Sequence, residues 1–296
     1  MNEGRSMKPK FRRRSLLYVL GASRKTLEKS ITLTEADALI FDLEDSVAPE
    51  SKDMARSLVE ETIRGLGAEG SGREIVVRVN PLASVFGLDD LLAMVPLGPD
   101  SVLLPKASAR DVVSVDGILS SLELKHGLPP GRMELIPLIE TAGGLMEVGE
   151  IIRSSRRISC VFLGGEDLTR DMAIKRTDSG AELQWSRNRL AMASKAAAVA
   201  CIDTPYANYK DEAGFAADTL YAKSVGLTGR SLIHPSQIQE ANRLFSPSEE
   251  DMAYASRVVA AYEEALTSGR GVASLEGRMI DVPVYERAKD LLACRF

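Results

Sequence analysis

Carboxylates stand at the ends of two neighbouring apolar runs, where they could act together. Glu140 ends the run MELIPLIE, and Asp167 lies near the end of the next run, ISCVFLGGEDL. Two carboxylates from adjacent strand ends suit a hard cation such as Mg²⁺, which takes oxygen ligands and keeps several waters. Helix capping is the alternative, because Glu140 precedes Thr141, a possible N-cap, and Asp167 precedes a predicted helix start at Thr169–Asp171. The pattern alone leaves both interpretations open.

Two cationic side chains end other apolar runs. Arg78 in VRVN is a planar, bidentate donor that suits a carboxylate or enolate oxygen. It could instead form a structural ion pair with Asp42, Glu44 or Asp45, and we interpret those three acids as groups that position Arg78. Lys106 in LLPKA could neutralise substrate charge or pair with a nearby carboxylate.

The elements that must position these groups are eight nearly continuous apolar runs with helical segments between them. Runs of this kind are typical of parallel strands that are buried on both faces. Eight strand and helix signals in alternation predict an α/β fold, a (β/α)8 TIM barrel, in which the charged strand ends converge on one mouth. An open doubly wound sheet is the rival, but GASRKT after the first run does not match GxGxxG. The predicted strands are Ser15–Gly21, Ala38–Asp45, Glu74–Asn80, Ser101–Ala107, Met133–Glu140, Ile158–Leu168, Ala198–Pro205 and Thr228–Pro235.

Length and charge exclude several classes of protein. The 296 residues carry a net charge of −5, which argues against a nucleic-acid binder. No apolar run approaches the ~20 residues that cross a bilayer, so we expect no membrane role. The isolated cysteines and the lack of an apolar leader predict a cytoplasmic protein. We predict a flexible basic tail over residues 1–14, the barrel over 15–245 and a helical extension over 246–296, which could be a lid, a capping element or an arm onto a neighbouring subunit.

Taken together, the motifs resemble one family over nearly the whole chain, from about Arg14 to Leu292. The sequence is similar to the citrate lyase β-subunit-like branch of the HpcH/HpaI aldolase superfamily, which includes malyl-CoA and citramalyl-CoA lyases. The resemblance implies a TIM barrel with a C-terminal extension. The motifs that carry it are ALIFDLEDSVAPESK, VRVNPL, LLPKA, LIPLIETAGG, FLGGEDLTRDM, CIDTPY, GLTGRSLIHPSQI and GRMIDVPVYERA.

The resemblance implies roles for the residues at the mouth. Glu140 and Asp167 match the two carboxylate ligands of Mg²⁺. Arg78 matches an arginine that binds the 2-oxo acid and stabilises developing negative charge. The turn Gly164–Asp167 matches one that presents backbone N–H groups to the substrate carboxylate, and Gly164, Gly165 and Glu166 are its expected substrate-binding residues.

The resemblance also implies a path for coenzyme A and a shared site. Asp281 in GRMID matches an acid that an adjacent subunit's tail contributes, so we expect a homo-oligomer, either a trimer or a hexamer. Two departures bear on the grip on CoA or substrate: Leu20, where the motif usually reads VPG, and Arg230, where it usually reads GK. The positions that match the CoA path are Tyr18, Arg24, Lys29, Asp203, Pro205 and Tyr206.

The function implied is Mg²⁺-dependent carbon–carbon cleavage of a 3-hydroxy-3-carboxyacyl-CoA, such as malyl-CoA or citramalyl-CoA, to acetyl-CoA and a 2-oxo acid. Four alternatives stay open. They are a citrate lyase β subunit acting on a carrier-linked acyl group, a class II aldolase acting on free hydroxy-oxo acids, an acyl-CoA thioesterase and a non-catalytic binding barrel.

Overall fold

The computed structural model describes residues 10–66, 72–177 and 179–293. Most of the predicted N-terminal tail, residues 1–9, lies outside the described residues. The chain forms two compact units that divide between Asn242 and Arg243.

The first unit confirms the predicted barrel. Within the described residues, eight parallel strands close in the order β1 to β8, and β1 pairs with β8. Each strand ends before the predicted run does, and Asp42, Arg78 and Asp203 are the last residues of their strands, whereas the other charged residues at the ends of the runs fall in the segments that follow. The strands are β1 Ser15–Leu20, β2 Ala38–Asp42, β3 Glu74–Arg78, β4 Ser101–Leu104, β5 Glu134–Ile139, β6 Cys160–Leu163, β7 Ala200–Asp203 and β8 Gly229–Leu232.

Side chains alternate along each strand between the barrel interior and the layer beneath the helices, as the period of two requires. Leu17, Phe41 and Val77 belong to a large buried cluster that includes helix residues, and therefore face the helices. The interior cluster contains strand residues alone: Leu16, Ala38, Ile40, Val76, Leu103, Ile136, Leu138, Cys160, Phe162 and Ile202. Arg78 and Tyr18 lie two residues beyond Val76 and Leu16, so the alternation directs both toward the interior at the mouth.

Helices connect the strands, and side-chain oxygens cap several of them. Ser108 and Asp111 form a capping box at α4, and Thr141 accepts a hydrogen bond from the backbone N–H of Gly144 at the start of α5. The helices of the first unit are α1 Arg24–Ile31, α2 Lys52–Leu66, α3 Gly87–Met94, α4 Ala109–Lys125, α5 Ala142–Met146, α6 Val148–Arg153, α7 Gly165–Asp171, α8 Gln184–Ala196 and α9 Glu212–Ser224, and α10 Ile238–Phe245 follows β8.

A buried ion pair closes the end of the barrel opposite the mouth. The Arg13 guanidinium donates to both carboxylate oxygens of Glu74 and to Glu134, and Nη1 also donates to Ser159 Oγ. Arg13 side-chain exposure is 3% and that of Glu74 is 0%. Residues just before β1 are therefore attached to the barrel, although we predicted them as part of the tail.

The second unit has its own small core. Helix α11 (Glu249–Thr267) begins with a capping box of Ser248 and Asp251, and a hairpin of β9 (Ala273–Leu275) and β10 (Arg278–Ile280) leads to α12 (Val282–Ala293). The rings of Tyr262 and Tyr285 stack with centroids 4.6 Å apart and join the two helices. Among the described residues of the whole chain, no helix has the length and hydropathy to span a membrane.

Candidate active site

Arg78 is held at the mouth of the barrel by carboxylates from the last residue of β2 and from the loop that follows it. Its Nε and Nη2 donate to the two oxygens of Asp42, both at 2.7 Å. Nη1 lies 3.0 Å from Glu44 Oε2 and 4.0 Å from Asp45 Oδ2. Burial alone would raise the pKa of Asp42, but the hydrogen bonds from Arg78 outweigh it and hold that pKa below its usual value. The structure thus brings together Arg78 and the acids predicted to position it.

Glu44 connects the two cations of the site. Its side chain is 4% exposed, and Oε1 accepts a 2.8 Å hydrogen bond from Lys106 Nζ while Oε2 faces Arg78. Oε2 is buried and accepts no hydrogen bond from the described residues. Burial raises the pKa of Glu44, against the attraction of Arg78 and Lys106. One carboxylate oxygen at the mouth is therefore left with an incomplete shell.

Glu140 directly follows β5 and is 2% exposed. Its Oε1 accepts a 2.7 Å hydrogen bond from the backbone N–H of Lys106, whose φ of 48° is left-handed and uncommon for a residue with a side chain. Lys106 Nζ lies 3.8 Å from the same oxygen. Burial raises the pKa of Glu140 to about 8; Lys106 opposes this, and the charges of Glu44 and Asp167 add to it.

Asp167 lies inside a helix and not before one. Helix α7 begins at Gly165, four residues earlier than the predicted start at Thr169, so Asp167 is not the cap of that helix. Its Oδ1 pairs with Arg170 at 2.8 Å, one turn along the helix. Glu166 is exposed and pairs with Arg176 at 2.9 Å. Sequence reasoning missed both arginines, and only their helical spacing from the acids could have signalled Arg170.

The glycines before Asp167 are placed differently from the prediction. We expected their backbone N–H groups to face the substrate carboxylate. Instead, Gly164 N–H donates to Ile139 O and Gly165 N–H donates to Thr204 Oγ1, both at 2.9 Å. Within the described residues, it is the N–H groups of Glu166 and Asp167 that have no acceptor.

A glycine at position 164 leaves room beside Glu140. A Cβ there would lie 2.5 Å from Glu140 Cβ and 2.7 Å from Glu140 Oε2. Glu140 Oε2 accepts no hydrogen bond from the described part of the chain, in contrast to Oε1. One oxygen of this buried carboxylate is therefore free to bind something other than protein.

The positions predicted for the CoA path fall into two groups. Tyr18 lies at the mouth, and its ring centroid is 4.8 Å from Arg78 Cζ. Arg24 and Lys29 are exposed on α1, where Arg24 forms a bidentate ion pair with Glu61 at 2.9 and 2.7 Å. Tyr18 thus joins the groups around Arg78, whereas the other two remain surface residues.

Asp203 belongs to a buried ionic cluster beneath the helices. Its carboxylate pairs with Arg187 of α8 at 2.9 Å and lies 3.3 Å from Arg230. Arg187 also pairs with Asp218 of α9 at 2.7 Å, and Arg230 pairs with that same acid. Asp203 and Arg230 are 0% exposed. Their side chains therefore hold strands to helices, and we correct the prediction that they face CoA or substrate.

The remaining predicted positions lie near this cluster and in the second unit. Pro205 is partly buried, and Tyr206 is buried and donates from its hydroxyl to Asp211 Oδ2 at 2.8 Å. Asp281 precedes α12, and its Oδ1 accepts from the backbone N–H of Val284 at 3.2 Å. Asp281 thus caps a helix in this chain, and its role toward a neighbouring subunit stays a prediction.

The donor set at the mouth fits a divalent cation. Glu140 keeps an oxygen without a hydrogen bond, and Glu44 and Asp167 bring further negative charge that opposes the ionised form of Glu140. A small cation with oxygen ligands would relieve that repulsion, since Mg²⁺ binds through one or two carboxylates and keeps several waters. Within the described residues, no cluster of three or more acids, histidines and cysteines converges as a complete metal cage. The rest of the shell would then come from water and substrate oxygens.

The fold and the site define a TIM barrel whose mouth carries several carboxylates and a buried arginine. The family model of HpcH/HpaI aldolase/citrate lyase matches residues 14–235. The chain therefore belongs to the HpcH/HpaI aldolase/citrate lyase family, which confirms the family predicted from the motifs.

Relatives with assigned activities cover almost the whole chain. Citrate lyase subunit beta of Haemophilus influenzae is 39% identical over 95% of this chain and 96% of its own length. The (3S)-malyl-CoA thioesterase of Cereibacter sphaeroides ATCC 17025 is 34% identical over 95% of this chain and 93% of its own length.

Among solved structures, protein CitE from Mycobacterium tuberculosis in complex with magnesium, acetoacetate and coenzyme A is 29% identical over 94% of this chain and 96% of its own, with a TM-score of 0.77. A citrate lyase from Burkholderia xenovorans LB400 covers 97% of this chain and 92% of its own, with a TM-score of 0.84. Its sequence is 19% identical, so this likeness supports the fold alone.

Proposed function

We propose that this protein is a Mg²⁺-dependent carbon–carbon lyase that cleaves a 3-hydroxy-3-carboxyacyl-CoA of the malyl-CoA or citramalyl-CoA type. The observation that carries the proposal is the pairing of a buried, half-satisfied Glu140 with a fixed Arg78 at one mouth. Glu140 is suited to bind a cation, and Arg78 is suited to bind the negatively charged substrate that this cation would also bind. A magnesium- and CoA-bound relative of 29% identity supports both the metal and the thioester.

Glu140 and Asp167 would hold Mg²⁺, which when bound supplies a Lewis acid for the oxygens of the substrate carboxylate and the adjacent hydroxyl. Arg78 would bind the carboxylate end of the substrate and stabilise negative charge on the hydroxyl oxygen as its proton passes to solvent water. The carbon–carbon bond then breaks, its electron pair goes to the thioester enolate, and the hydroxyl carbon becomes the carbonyl of glyoxylate or pyruvate.

The enolate carbon must then gain a proton to become acetyl-CoA. We assign that proton to Asp281 of a neighbouring subunit, following the resemblance, and Tyr18 would line the entrance for the thioester arm. In the reverse direction Asp281 would be the base. A thioester α-proton is weakly acidic, so the fixed charges of the mouth must contribute much of the barrier reduction.

A second candidate is hydrolysis of the same thioester, because a relative of 34% identity over 95% of this chain is a (3S)-malyl-CoA thioesterase. A third is cleavage of a carrier-linked acyl group, because relatives of 38–39% identity are citrate lyase β subunits. The three differ in their products or in the group that carries the acyl chain.

The test is a product analysis on malyl-CoA, citramalyl-CoA and free citramalate, with Mg²⁺ and with EDTA, for wild type and Asp281→Ala. We expect EDTA-sensitive formation of acetyl-CoA and a 2-oxo acid without free thiol, and its loss in Asp281→Ala. Release of one thiol per turnover would instead show hydrolysis. Cleavage of free citramalate would favour the aldolase, and silence on the whole panel would favour the carrier-linked substrate or a binding role.

A further inference from the structure

Lys52, the first residue of α2, is buried without a direct carboxylate partner. It is 6% exposed, and its Nζ donates to Leu43 O and Glu44 O, both at 2.7 Å, and to Asn80 Oδ1 at 2.8 Å. An ammonium has three protons, and all three have acceptors here. Burying a charge on neutral acceptors is costly, so this arrangement needs an explanation.

The acceptors of Lys52 are the backbone of the loop that carries Glu44. Leu43 O also accepts from Asn80 Nδ2 at 2.8 Å, and Leu43 N–H donates to Arg78 O at 2.9 Å. Lys52 thus fixes both carbonyls of the Leu43–Glu44 segment immediately after β2, and Asn80 fixes the first of them from β3. The Glu44 side chain, by contrast, points to Arg78 Nη1 and Lys106 Nζ.

The support behind Lys52 extends away from the site. Asn80 donates from its backbone N–H and from Nδ2 to Asp90 Oδ2 at 2.8 and 2.6 Å, and Arg56 Nη1 donates to Asp90 Oδ1 at 2.9 Å. Arg56 lies one turn after Lys52 on α2. These contacts anchor Lys52 and Asn80 to helices α2 and α3 without touching the mouth.

We propose that Lys52 is a positioning residue for the anion-binding half of the site, acting through the Glu44 backbone on Arg78 and Lys106. This inference rests on the proposed function, in which Arg78 binds the carboxylate end of the substrate. A lysine suits the position because its point charge and three rotatable donors match three converging acceptors, whereas the planar fork of arginine does not. Within the described residues, Lys52 makes no hydrogen bond or ion pair with Glu140 or Asp167, and the nearest link to Glu140 runs through Lys106.

The test compares Lys52→Met with the matched control Arg64→Met, an exposed position on the same helix that pairs with Glu60, and measures two ligands separately by calorimetry. In Lys52→Met we expect pyruvate affinity at saturating Mg²⁺ to fall about 10- to 100-fold, as for other residues that orient a ligand-binding group. Mg²⁺ affinity should stay within about threefold, because its proposed ligands, Glu140 after β5 and Asp167 in α7, lie on other elements. Arg64→Met should leave both affinities within about twofold. General damage to the fold would lower both affinities together.

Retention of wild-type pyruvate affinity by Lys52→Met would overturn the proposal. If Lys52→Met does not fold, Lys52→Arg and Lys52→Gln are measured in its place, and wild-type pyruvate affinity in both would overturn it equally. If the wild type binds Mg²⁺ but neither pyruvate nor glyoxylate, the proposed function fails, and the inference is then decided by the crystal structure of a folded Lys52 variant. A Glu44 carboxylate still 3.0 Å from Arg78 and 2.8 Å from Lys106 in that structure would refute it.

Discussion

Glu140 is a residue whose folded surroundings oppose its own charge. It is buried, close to other carboxylates, and its pKa is raised to about 8 primarily by burial. The ionised form of Glu140 that a cation needs is therefore the form that the surrounding protein disfavours. Stability and cation binding make opposite demands on this side chain, as is common at functional sites.

We predict opposite effects of Glu140→Gln on binding and stability. The amide keeps an oxygen for the backbone N–H of Lys106 but loses the negative charge, so Mg²⁺ affinity should fall at least about 100-fold, the upper end of what even indirect partners of a metal cost. The free energy of unfolding without Mg²⁺ should rise at pH 7, because folding no longer has to protonate a carboxyl that is ionised in the unfolded chain and whose pKa the fold raises to about 8. Calorimetric titration with Mg²⁺ and urea unfolding measure the two effects.

Glu150→Gln, on the exposed face of α6, is the control and should change neither quantity. Unchanged Mg²⁺ affinity in Glu140→Gln would remove Glu140 from the metal site. A lower free energy of unfolding in Glu140→Gln would show that the charge of Glu140 is compensated in the folded protein.

Helix α7 is positioned by a close contact at its first residue. A Cβ on Gly165 would lie 2.8 Å from Thr204 Oγ1 and 2.9 Å from Leu183 Cδ1, and the Gly165 N–H already donates to Thr204 Oγ1. Arg230 in turn donates to Thr204 O at 3.0 Å. The buried ionic cluster thereby reaches the helix that carries Asp167, although its own charges face away from the mouth.

Gly165→Ala should move that helix. We expect destabilisation of about 1–3 kcal/mol from overpacking, together with weaker Mg²⁺ binding, because Asp167 lies two residues along. Gly143→Ala is the control, since nothing lies within 4 Å of a Cβ on that exposed residue of α5. Thermal unfolding and Mg²⁺ titration are measured for both variants. Equal stability and equal Mg²⁺ affinity of the two variants would contradict the claim that the contact at Gly165 positions α7.

The sequence predicted the strands, but it did not predict which of their side chains point to the barrel interior and which point to the helices. Continuous apolar runs mark strands that are buried on both sides, but because both sides are apolar, they hide which residues point inward. Asp203 and Arg78 both end strands, yet Arg78 follows the interior set through Val76, whereas Asp203 follows Cys201 on the helix side. If the residues that face the interior were known for one pair of strands, the alternation along each strand would have distinguished Arg78 from Asp203.

Lys52 was overlooked for a related reason. The segment Lys52–Arg64 has the helical period with a charged outer face, and a lysine at its start is expected to be solvated. Its burial depends on Leu43, Glu44 and Asn80, which come from two other strand ends. Local pattern carries no information about such contacts between distant segments.

At the scale of the whole molecule, the proposed chemistry draws on both units. Arg78 lies in the barrel and Asp281 in the second unit, and we assign Asp281 to a neighbouring subunit. Two variants that are each inactive, Arg78→Ala and Asp281→Ala, should then complement each other. In a cyclic oligomer mixed in equal amounts, about a quarter of the sites would combine two intact residues.

The measurement is lyase activity after the two variants are unfolded, mixed and refolded together, compared with each refolded alone. Recovery of about a quarter of wild-type activity would support a shared site. No recovery, with oligomers of normal size by sedimentation, would place the catalytic acid within one chain.

Closure of the barrel also determines when the first strand can complete its pairing during synthesis. Ser15 of β1 pairs with Arg230 of β8, so the first strand finds its last partner only after more than 200 further residues have been made. At ~5–20 residues per second, the open edge of β1 waits roughly 10–40 s on the ribosome. Unpaired strand edges invite aggregation, and the first strand is therefore the segment of this protein most in need of protection during synthesis.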